Sequence, residues 1–132
     1  MGAEDTEQAA VIAWADTHLD LYPEVAYLFH VPNGGLRART TAVRLKLMGV
    51  RRGISDLILL VPRGGFHGLL IELKIMDGAG RKSRVSKEQK AFISFEQRQG
   101  YCAVICYDRF EAIRTIIAYL TYQMHWPKVA VR

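Results

Sequence analysis

Two kinds of hydrophobic pattern divide the chain into eight segments. Apolar residues recur at helical spacing in four of them, residues 5–19, 37–48, 86–99 and 108–122. Short runs rich in Val, Ile and Leu occupy the other four, residues 25–31, 53–61, 69–74 and 101–107. The first pattern predicts helices and the second predicts strands. The resulting order, α-β-α-β-β-α-β-α, describes an α/β fold with a mixed sheet flanked by helices, in one domain of 132 residues.

Capping signals predict where the helices begin and end. Asp5 or Thr6 is the expected N-cap of the first helix. Ser86 and Gln89 have the spacing of a capping box at the start of the third helix, which Gly100 is expected to end.

The two central apolar runs contain three charged residues, Asp56, Glu72 and Lys74. A turn centred near Gly64 makes these runs an antiparallel hairpin, which puts position 56 across from position 72. Side chains alternate along a strand, so Lys74 lies on the same face as Glu72. Burying such charges is costly unless they are paired or bind a metal. We therefore predict that the three side chains converge for a chemical reason.

A divalent cation is the reason we predict. Two neighbouring carboxylates repel each other and raise each other's pKa, unless a cation makes both ionised forms favourable. No thiol or imidazole accompanies this pair, so the expected ion is Mg²⁺ or Mn²⁺ rather than zinc. A lysine beside such an ion can orient a water or stabilise charge on a phosphate. The simpler alternative is a structural salt bridge at the end of the hairpin.

The same residues resemble a known nuclease signature. Asp56, fifteen further residues and Glu72-Leu73-Lys74 resemble the PD-(D/E)xK motif, with Ser55 where that motif has Pro. Three more motifs have the order and spacing of the VRR-NUC (virus-type replication-repair nuclease) family: Pro32-Asn33-Gly34-Gly35, Gly49-Val50-Arg51-Arg52-Gly53-Ile54-Ser55-Asp56-Leu57 and Ser86-Lys87-Glu88-Gln89-Lys90. The resemblance covers residues 6–120. It implies a restriction-endonuclease-like fold and metal-dependent cleavage of DNA.

The resemblance also implies further site residues. A glutamate of the first helix completes the acidic site in the family, and Glu7 is the matching position, with Glu4 and Glu24 as alternatives. The Leu73 carbonyl corresponds to a further metal ligand in relatives. Gln89 matches an active-site glutamine, unless it only caps its own helix. The predicted metal ligands are thus Glu7, Asp56, Glu72 and the Leu73 carbonyl, and the predicted catalytic residues are Glu7, Asp56, Glu72, Lys74 and Gln89.

Basic residues bracket the acidic hairpin. The net charge is +5, and basic stretches lie on either side of the charged strands. Each stretch alone is typical of a solvated face, but together they suit a polyanion whose phosphates are gripped on both sides of the cut. With Asn33, which resembles a family position near the site, the predicted DNA-binding residues are Asn33, Arg37, Arg39, Arg44, Arg51, Arg52, Arg81, Lys82, Arg84 and Lys87.

Family members that consist of the nuclease domain alone resemble phage and bacterial enzymes that cut branched DNA, including four-way (Holliday) junctions. Resolving a junction takes two symmetric cuts, which a C2 homodimer would provide. We therefore predict a homodimer that acts on branched DNA. A flap or nicking nuclease is one alternative, and a non-catalytic DNA-binding module or accessory subunit is another.

The sequence also carries expectations about the compartment. No apolar run reaches the roughly 18 residues that span a bilayer, and the first residues lack a signal-peptide pattern, so we expect a cytoplasmic protein without a membrane partner. Cys102 and Cys106 are four positions apart in a predicted strand, about 13 Å along one face, which is too far for a disulfide. We expect both to be reduced thiols.

Overall fold

Four helices flank a four-stranded mixed sheet in the computed structural model, which describes residues 2–32 and 39–127. The helices are α1 (Ala3–Asp16), α2 (Arg39–Leu47), α3 (Lys87–Arg98) and α4 (Arg109–Leu120). The strands are β1 (Phe29–His30), β2 (Leu57–Leu59), β3 (Leu69–Leu73) and β4 (Cys102–Cys106). The predicted fold class and element order are confirmed.

The sheet has the order β1-β2-β3-β4, antiparallel except for the parallel pair of β3 and β4. That parallel pair requires a crossover, which α3 supplies. In the hairpin of β2 and β3, Leu57 pairs with Ile71 and Leu59 pairs with Leu69. One further step in this register places Asp56 opposite Glu72, as the sequence predicts.

Each face of the sheet has its own core. On one face, Leu57 and Ile71 pack with Ile116 of α4 and with residues of α1. On the other, Leu70 packs with Ile93 of α3. Because alternate residues of a strand point to opposite faces, Glu72 lies on the side covered by α3. None of the helices within the described ranges is long and apolar enough to cross a membrane.

The structure corrects the segment before β1. The prediction of a strand over residues 25–31 is wrong for most of its length: Pro23–Tyr27 forms a 3-10 helix, and only Phe29–His30 pairs with β2. Proline at the start suits a helical turn, because its fixed φ is helical and its missing N–H has no partner to lose. Val25 and Leu28 are the buried positions of this segment, and their separation of three residues is helical rather than strand-like.

The start of α1 also differs from the prediction. This helix begins at Ala3, and its N-cap is Gly2, which makes no side-chain cap hydrogen bond. Asp5 and Thr6 therefore lie inside the helix, and the predicted cap at either residue is wrong. The Thr6 hydroxyl instead donates back to the Gly2 carbonyl oxygen over 3.1 Å. The earlier start places Glu4 in the first turn.

The other local predictions agree with the structure where it can be described. Ser86 caps α3, and Gln89 completes the capping box, with its side-chain oxygen accepting from the Ser86 N–H at 2.8 Å. Cys102 and Cys106 are buried and are not joined by a disulfide. The described part of the second helix matches the predicted one, whose first residues lie outside the described ranges together with the Asn33-Gly34-Gly35 turn.

Candidate active site

Asp56 and Glu72 face each other across the hairpin of β2 and β3. The register puts them on directly opposite positions of the hairpin, where Cβ atoms lie roughly 5 Å apart. The two carboxyl groups are close enough to share a hydrogen bond, which contributes to the raised pKa of Glu72. The hairpin alone therefore brings the acidic pair together.

Glu72 is the most constrained of the acids. Only 1% of it is exposed, and its Oε1 has no hydrogen-bond partner among the residues that the structure describes. The pKa of Glu72 is raised to about 9, mainly by burial and further by the hydrogen bond and the charge of Asp56, while the charge of Lys74 opposes the rise. Without a cation, Glu72 therefore holds a proton at neutral pH. A buried carboxylate oxygen without a partner is a position that a cation would satisfy.

Hydrogen bonds on both sides hold Asp56 in place. The Leu73 N–H donates to Asp56 Oδ2 at 2.8 Å. On the other side, the Val31 N–H donates to the Asp56 carbonyl at 3.2 Å, and His30 Nδ1 lies 2.8 Å from the same oxygen. Since the N–H and C=O of a strand residue point towards the same neighbour, the Leu73 carbonyl lies on the side of Asp56. This placement fits the predicted role of that carbonyl.

Lys74 follows Glu72 by one pleat and lies on the same face. It is 6% exposed, and its N–H donates to the Cys106 carbonyl at 2.8 Å. Its positive charge lowers the pKa of Glu72, which shows that the ammonium and the carboxyl group interact. The structure thus brings together Asp56, Glu72 and Lys74.

Of the glutamates of the first helix, Glu4 affects the titration of Glu72. The charge of Glu4 raises the pKa of Glu72, so the two carboxyl groups interact. The Ser83 hydroxyl donates to Glu4 Oε2 at 2.8 Å, and the Ile75 N–H donates to the Ser83 hydroxyl oxygen at 3.0 Å. The segment after β3 therefore orients Glu4.

Glu7 is engaged with α4 in this structure, and its predicted place in the acidic site stays a prediction. Arg109 Nη2 and Nε donate to Glu7 Oε2 at 2.7 and 3.0 Å, and the Arg109 N–H donates to Oε1 at 3.1 Å. These bonds hold the pKa of Glu7 below its ordinary value. Both oxygens of Glu7 thus accept hydrogen bonds from Arg109 at the start of α4. Glu24, the other alternative, pairs with Arg63 at 2.6 Å, at the turn end of the hairpin.

Family comparison decides what kind of site this is. The model of the VRR-NUC domain family matches residues 3–109. This chain belongs to the VRR-NUC family. A solved structure described as a VRR_NUC domain protein is 31% identical with a TM-score of 0.75, and the match covers 92% of this chain and 91% of that chain. No curated protein matches the chain. The resemblance stated from the motifs is confirmed, and with it a nuclease-type domain, for which DNA is the implied substrate.

In this VRR-NUC domain, Gln89 has a structural role that its sequence position left open. Its side-chain oxygen accepts from the Ser86 N–H, and its own N–H donates to the Ser86 hydroxyl at 3.1 Å. Gln89 therefore caps its helix, and a role for Gln89 in the active site stays a prediction.

The predicted DNA-binding residues of the VRR-NUC domain lie on the surface where they can be described. Arg81 pairs with Asp77 at 2.8 Å, and the Lys82 ammonium lies 4.5 Å from the centre of the Tyr107 ring. Asn33 and Arg37 lie outside the described residues. The exposed members of the set are Arg39, Arg44, Arg51, Arg52, Arg81, Lys82, Arg84 and Lys87.

Two site features of the VRR-NUC domain escaped the sequence reasoning. One is Ser83, which had no distinguishing local signal. The other is Gly53, which is buried with φ +84, and a Cβ there would lie 2.5 Å from the Glu88 carbonyl carbon. The glycine allows the loop before Asp56 to press against the first turn of α3. Its place in the motif was a usable signal, because such a glycine marks a positive φ or a close approach.

The donor set fits a hard cation. Within the described ranges, no group of three or more His, Cys, Asp or Glu side chains is close enough to hold a metal by itself. Mg²⁺ needs only one or two protein carboxylates, since water and substrate phosphate complete its shell. Asp56, the unpartnered Oε1 of Glu72 and the Leu73 carbonyl are oxygen donors of this kind.

Proposed function

We propose that this protein is a metal-dependent endonuclease that hydrolyses phosphodiester bonds in branched DNA. The observation that carries the proposal is the convergence of Asp56, Glu72 and Lys74 on one face of the hairpin, with Glu72 buried and one of its oxygens unpartnered. A protein that only bound DNA would gain stability from apolar residues in place of clustered acids. This cost argues against the non-catalytic alternative.

Mg²⁺ or Mn²⁺ is the proposed cofactor, held by Asp56, Glu72 and the Leu73 carbonyl, with Glu4 in the place first assigned to Glu7. When bound, the ion would polarise the phosphate and make an attacking water more acidic. Each of these donors comes from a different strand position or helix turn. The site therefore depends on the fold rather than on one local motif.

The protein's own groups would carry the remaining steps. The Leu73 N–H fixes one oxygen of Asp56, which leaves the other oxygen for the reacting centre. The Lys74 ammonium would orient the attacking water or stabilise the charge that develops on the phosphate. Because Glu72 and Lys74 are buried, these charges act with little screening by solvent. The expected products carry a 5′ phosphate.

The specific substrate that we propose is a four-way junction, cut symmetrically by a homodimer. A second copy would cover apolar side chains of α2 and the residue after it, of which Leu47 is 84%, Met48 69% and Val43 54% exposed. In the part of the chain that the structure describes, α2 has no buried residue. Sedimentation tests this arrangement, and a protein that stays monomeric with and without a junction would argue against paired cutting.

Cleavage of flaps or nicking of duplex is the second candidate. It is favoured by a groove between α3 and β4, whose size and lining suit a single strand. A flap offers one unpaired strand next to the scissile bond, and a single active site suffices to cut it.

The decisive experiment is cleavage of labelled four-way junction, flap and linear duplex DNA with Mg²⁺, Mn²⁺ or EDTA. Glu72→Gln tests the site, and Asp16→Asn is the matched control, an exposed acid roughly 18 Å along α1 from Glu4. Paired metal-dependent cuts in the junction, lost in Glu72→Gln, would support the junction proposal. Cuts confined to flaps would support the nuclease proposal and contradict the proposed junction substrate. Binding without cleavage under either metal would overturn the catalytic proposal.

A further inference from the structure

A groove of about 700 Å³ lies between α3, β4 and the segment that precedes α3. Its lining includes the buried apolar residues Ile93 and Ile105 and the exposed cations Arg84, Lys87 and Lys90. The volume is within the roughly 300–1,000 Å³ of sites that hold an organic ligand. An apolar floor with a cationic rim suits a ligand that has both a flat apolar part and negative charge.

Residues of β4 that line the groove pair with residues of the acidic site. Glu72 pairs in register with Ile105, and two further steps in the same register place Lys74 beside Tyr107, which also lines the groove. Both pairs lie on the face covered by α3, and neighbouring strands are about 4.8 Å apart. A DNA strand with its phosphate at Glu72 would therefore pass into the groove.

Ser83 links the groove to Glu4 of α1. It lines the groove, and its hydroxyl donates to Glu4 Oε2 at 2.8 Å. The segment that orients the acid of α1 is thus also a wall of the groove. A ligand that contacts Ser83 in the groove is therefore one hydrogen bond away from Glu4.

The cations at the rim have no acidic partner. Within the described ranges, the ion pairs involve none of Arg84, Lys87 and Lys90. Lys87 and Lys90 are three residues apart on α3, so they lie on neighbouring positions of one helix face. A row of unpaired cations along a groove is the arrangement that follows a phosphate backbone.

Tyr107 offers a surface for a base. Its ring is half-buried, and the Lys82 ammonium lies 4.5 Å from the ring centre. A ring that a lysine can cover is also reachable by a nucleobase, and bases stack on aromatic side chains whatever their identity. The Lys82 ammonium would then leave the Tyr107 ring and bind a phosphate of the same strand.

We propose that this groove binds unpaired nucleotides of a single DNA strand, with a base on Tyr107 and phosphates on Arg84, Lys87 and Lys90. The inference rests on the proposed nuclease function and favours its second candidate substrate, the flap, because a fully paired four-way junction offers no unpaired strand. Base faces are hidden inside a duplex, so stacking on Tyr107 requires an unpaired strand. The protein would therefore select DNA in which a single strand leaves a branch next to the bond that is cut.

Binding without cleavage tests the role of the ring. Fluorescence anisotropy in EDTA would compare a labelled single strand with a blunt duplex of the same sequence. Tyr107→Leu keeps an apolar side chain but removes the ring, and it is expected to weaken single-strand binding roughly tenfold, with a smaller effect on duplex. Tyr107→Phe should recover most of the loss. Tyr27→Leu is the matched control, since Tyr27 is 80% exposed on the 3-10 helix.

Salt dependence tests the cations. The slope of log K against log salt is negative for a strand held by its phosphates. In Lys90→Gln its magnitude should be smaller by about 0.7, the value for one phosphate contact on a single strand. Arg114→Gln removes an exposed cation of α4 and should leave the slope unchanged. This comparison also keeps the proposal testable if Tyr107→Leu does not fold.

The two proposals fail in different ways. Unchanged single-strand affinity in Tyr107→Leu, or an unchanged salt slope in Lys90→Gln, would overturn the strand groove even if the wild-type protein cleaves DNA. Competition by a free mononucleotide at the same concentration as the oligonucleotide would replace it with a nucleotide site. Ring-dependent single-strand binding by a protein that cleaves nothing would support the groove and overturn the nuclease.

Discussion

The Ser83 hydroxyl donates a hydrogen bond to Glu4 Oε2 at 2.8 Å, although 79 positions separate the two residues. This contact joins the first turn of α1 to the segment after β3. It orients Glu4, whose charge raises the pKa of Glu72, whereas Glu7, the position preferred from the sequence, accepts hydrogen bonds from Arg109. The identity of the fourth site residue is thus a tertiary property.

The first prediction separates the two glutamates. Glu4→Gln should lower metal-dependent cleavage by about 10- to 100-fold, because it removes a carboxylate next to the cation site. Glu7→Gln should lower the melting temperature through loss of the charged bonds to Arg109, with a much smaller effect on cleavage. Single-turnover cleavage and thermal denaturation of both variants measure the two effects. Equal loss of cleavage activity in the two variants would support Glu7 as a residue of the active site.

The second prediction concerns pH. The folded protein keeps a proton on Glu72 up to a pKa of about 9, whereas the unfolded chain loses it near 4.5. The folded state therefore binds more protons between these values, and metal-free stability falls as pH rises through that window, by at most about 1.4 kcal/mol per pH unit. Melting temperatures in EDTA should decrease from pH 5 to pH 8.5, an interval that lies inside this window.

The variant Glu72→Gln provides the control for that pH dependence. It cannot lose a proton, so its melting temperature should fall less with pH and exceed that of the wild type in EDTA at alkaline pH. Added Mg²⁺ should stabilise the wild type increasingly as pH rises, because binding requires the ionised carboxylate. Equal Mg²⁺ stabilisation of Glu72→Gln would contradict the assignment of Glu72 as a ligand.

The third prediction concerns Lys74. Lys74→Met retains the apolar stem but removes the charge, and it should reduce cleavage by about 10²- to 10³-fold, as does loss of one group that stabilises transition-state charge. DNA affinity measured by anisotropy should change little. The matched control is Lys46→Met, an exposed lysine of α2. Parallel losses of binding and cleavage in Lys74→Met would show that Lys74 acts in binding instead.

The fourth prediction compares three glycines to separate the cost of a positive φ from the cost of a steric clash with an added Cβ. Gly53→Ala meets both a positive φ of +84 and the Glu88 backbone at 2.5 Å, Gly49→Ala meets only a positive φ of +103, and Gly78→Ala meets neither. The φ change alone costs about 1–2 kcal/mol. Chemical denaturation should therefore rank Gly53→Ala as the least stable and Gly78→Ala as near wild type. Equal stability of Gly53→Ala and Gly49→Ala would remove the close approach from the explanation.

Much of the site follows from local rules. The facing of Asp56 and Glu72 was predictable because strand alternation and the position of the turn set the register of a hairpin. The capping box of Ser86 and Gln89 was predictable because both partners lie within one helical turn. The segment of residues 25–31 was mispredicted because short apolar runs occur in strands and in buried 3-10 turns alike, and here Pro23 decided for the turn.

The sequence by itself determined the VRR-NUC family, the element order and the converging Asp56, Glu72 and Lys74, since these depend on residues close together or on ordered motifs. Only the tertiary structure decided which glutamate of α1 contacts Ser83 and which pairs with Arg109. Glu4 and Glu7 are three residues apart and lie on nearly the same helix face, so periodicity cannot distinguish them. The choice depends on where α1 starts and on its contacts with Ser83 and Arg109, which packing brings together across the whole chain. The groove arises in the same way, because parallel pairing places β4 beside Glu72.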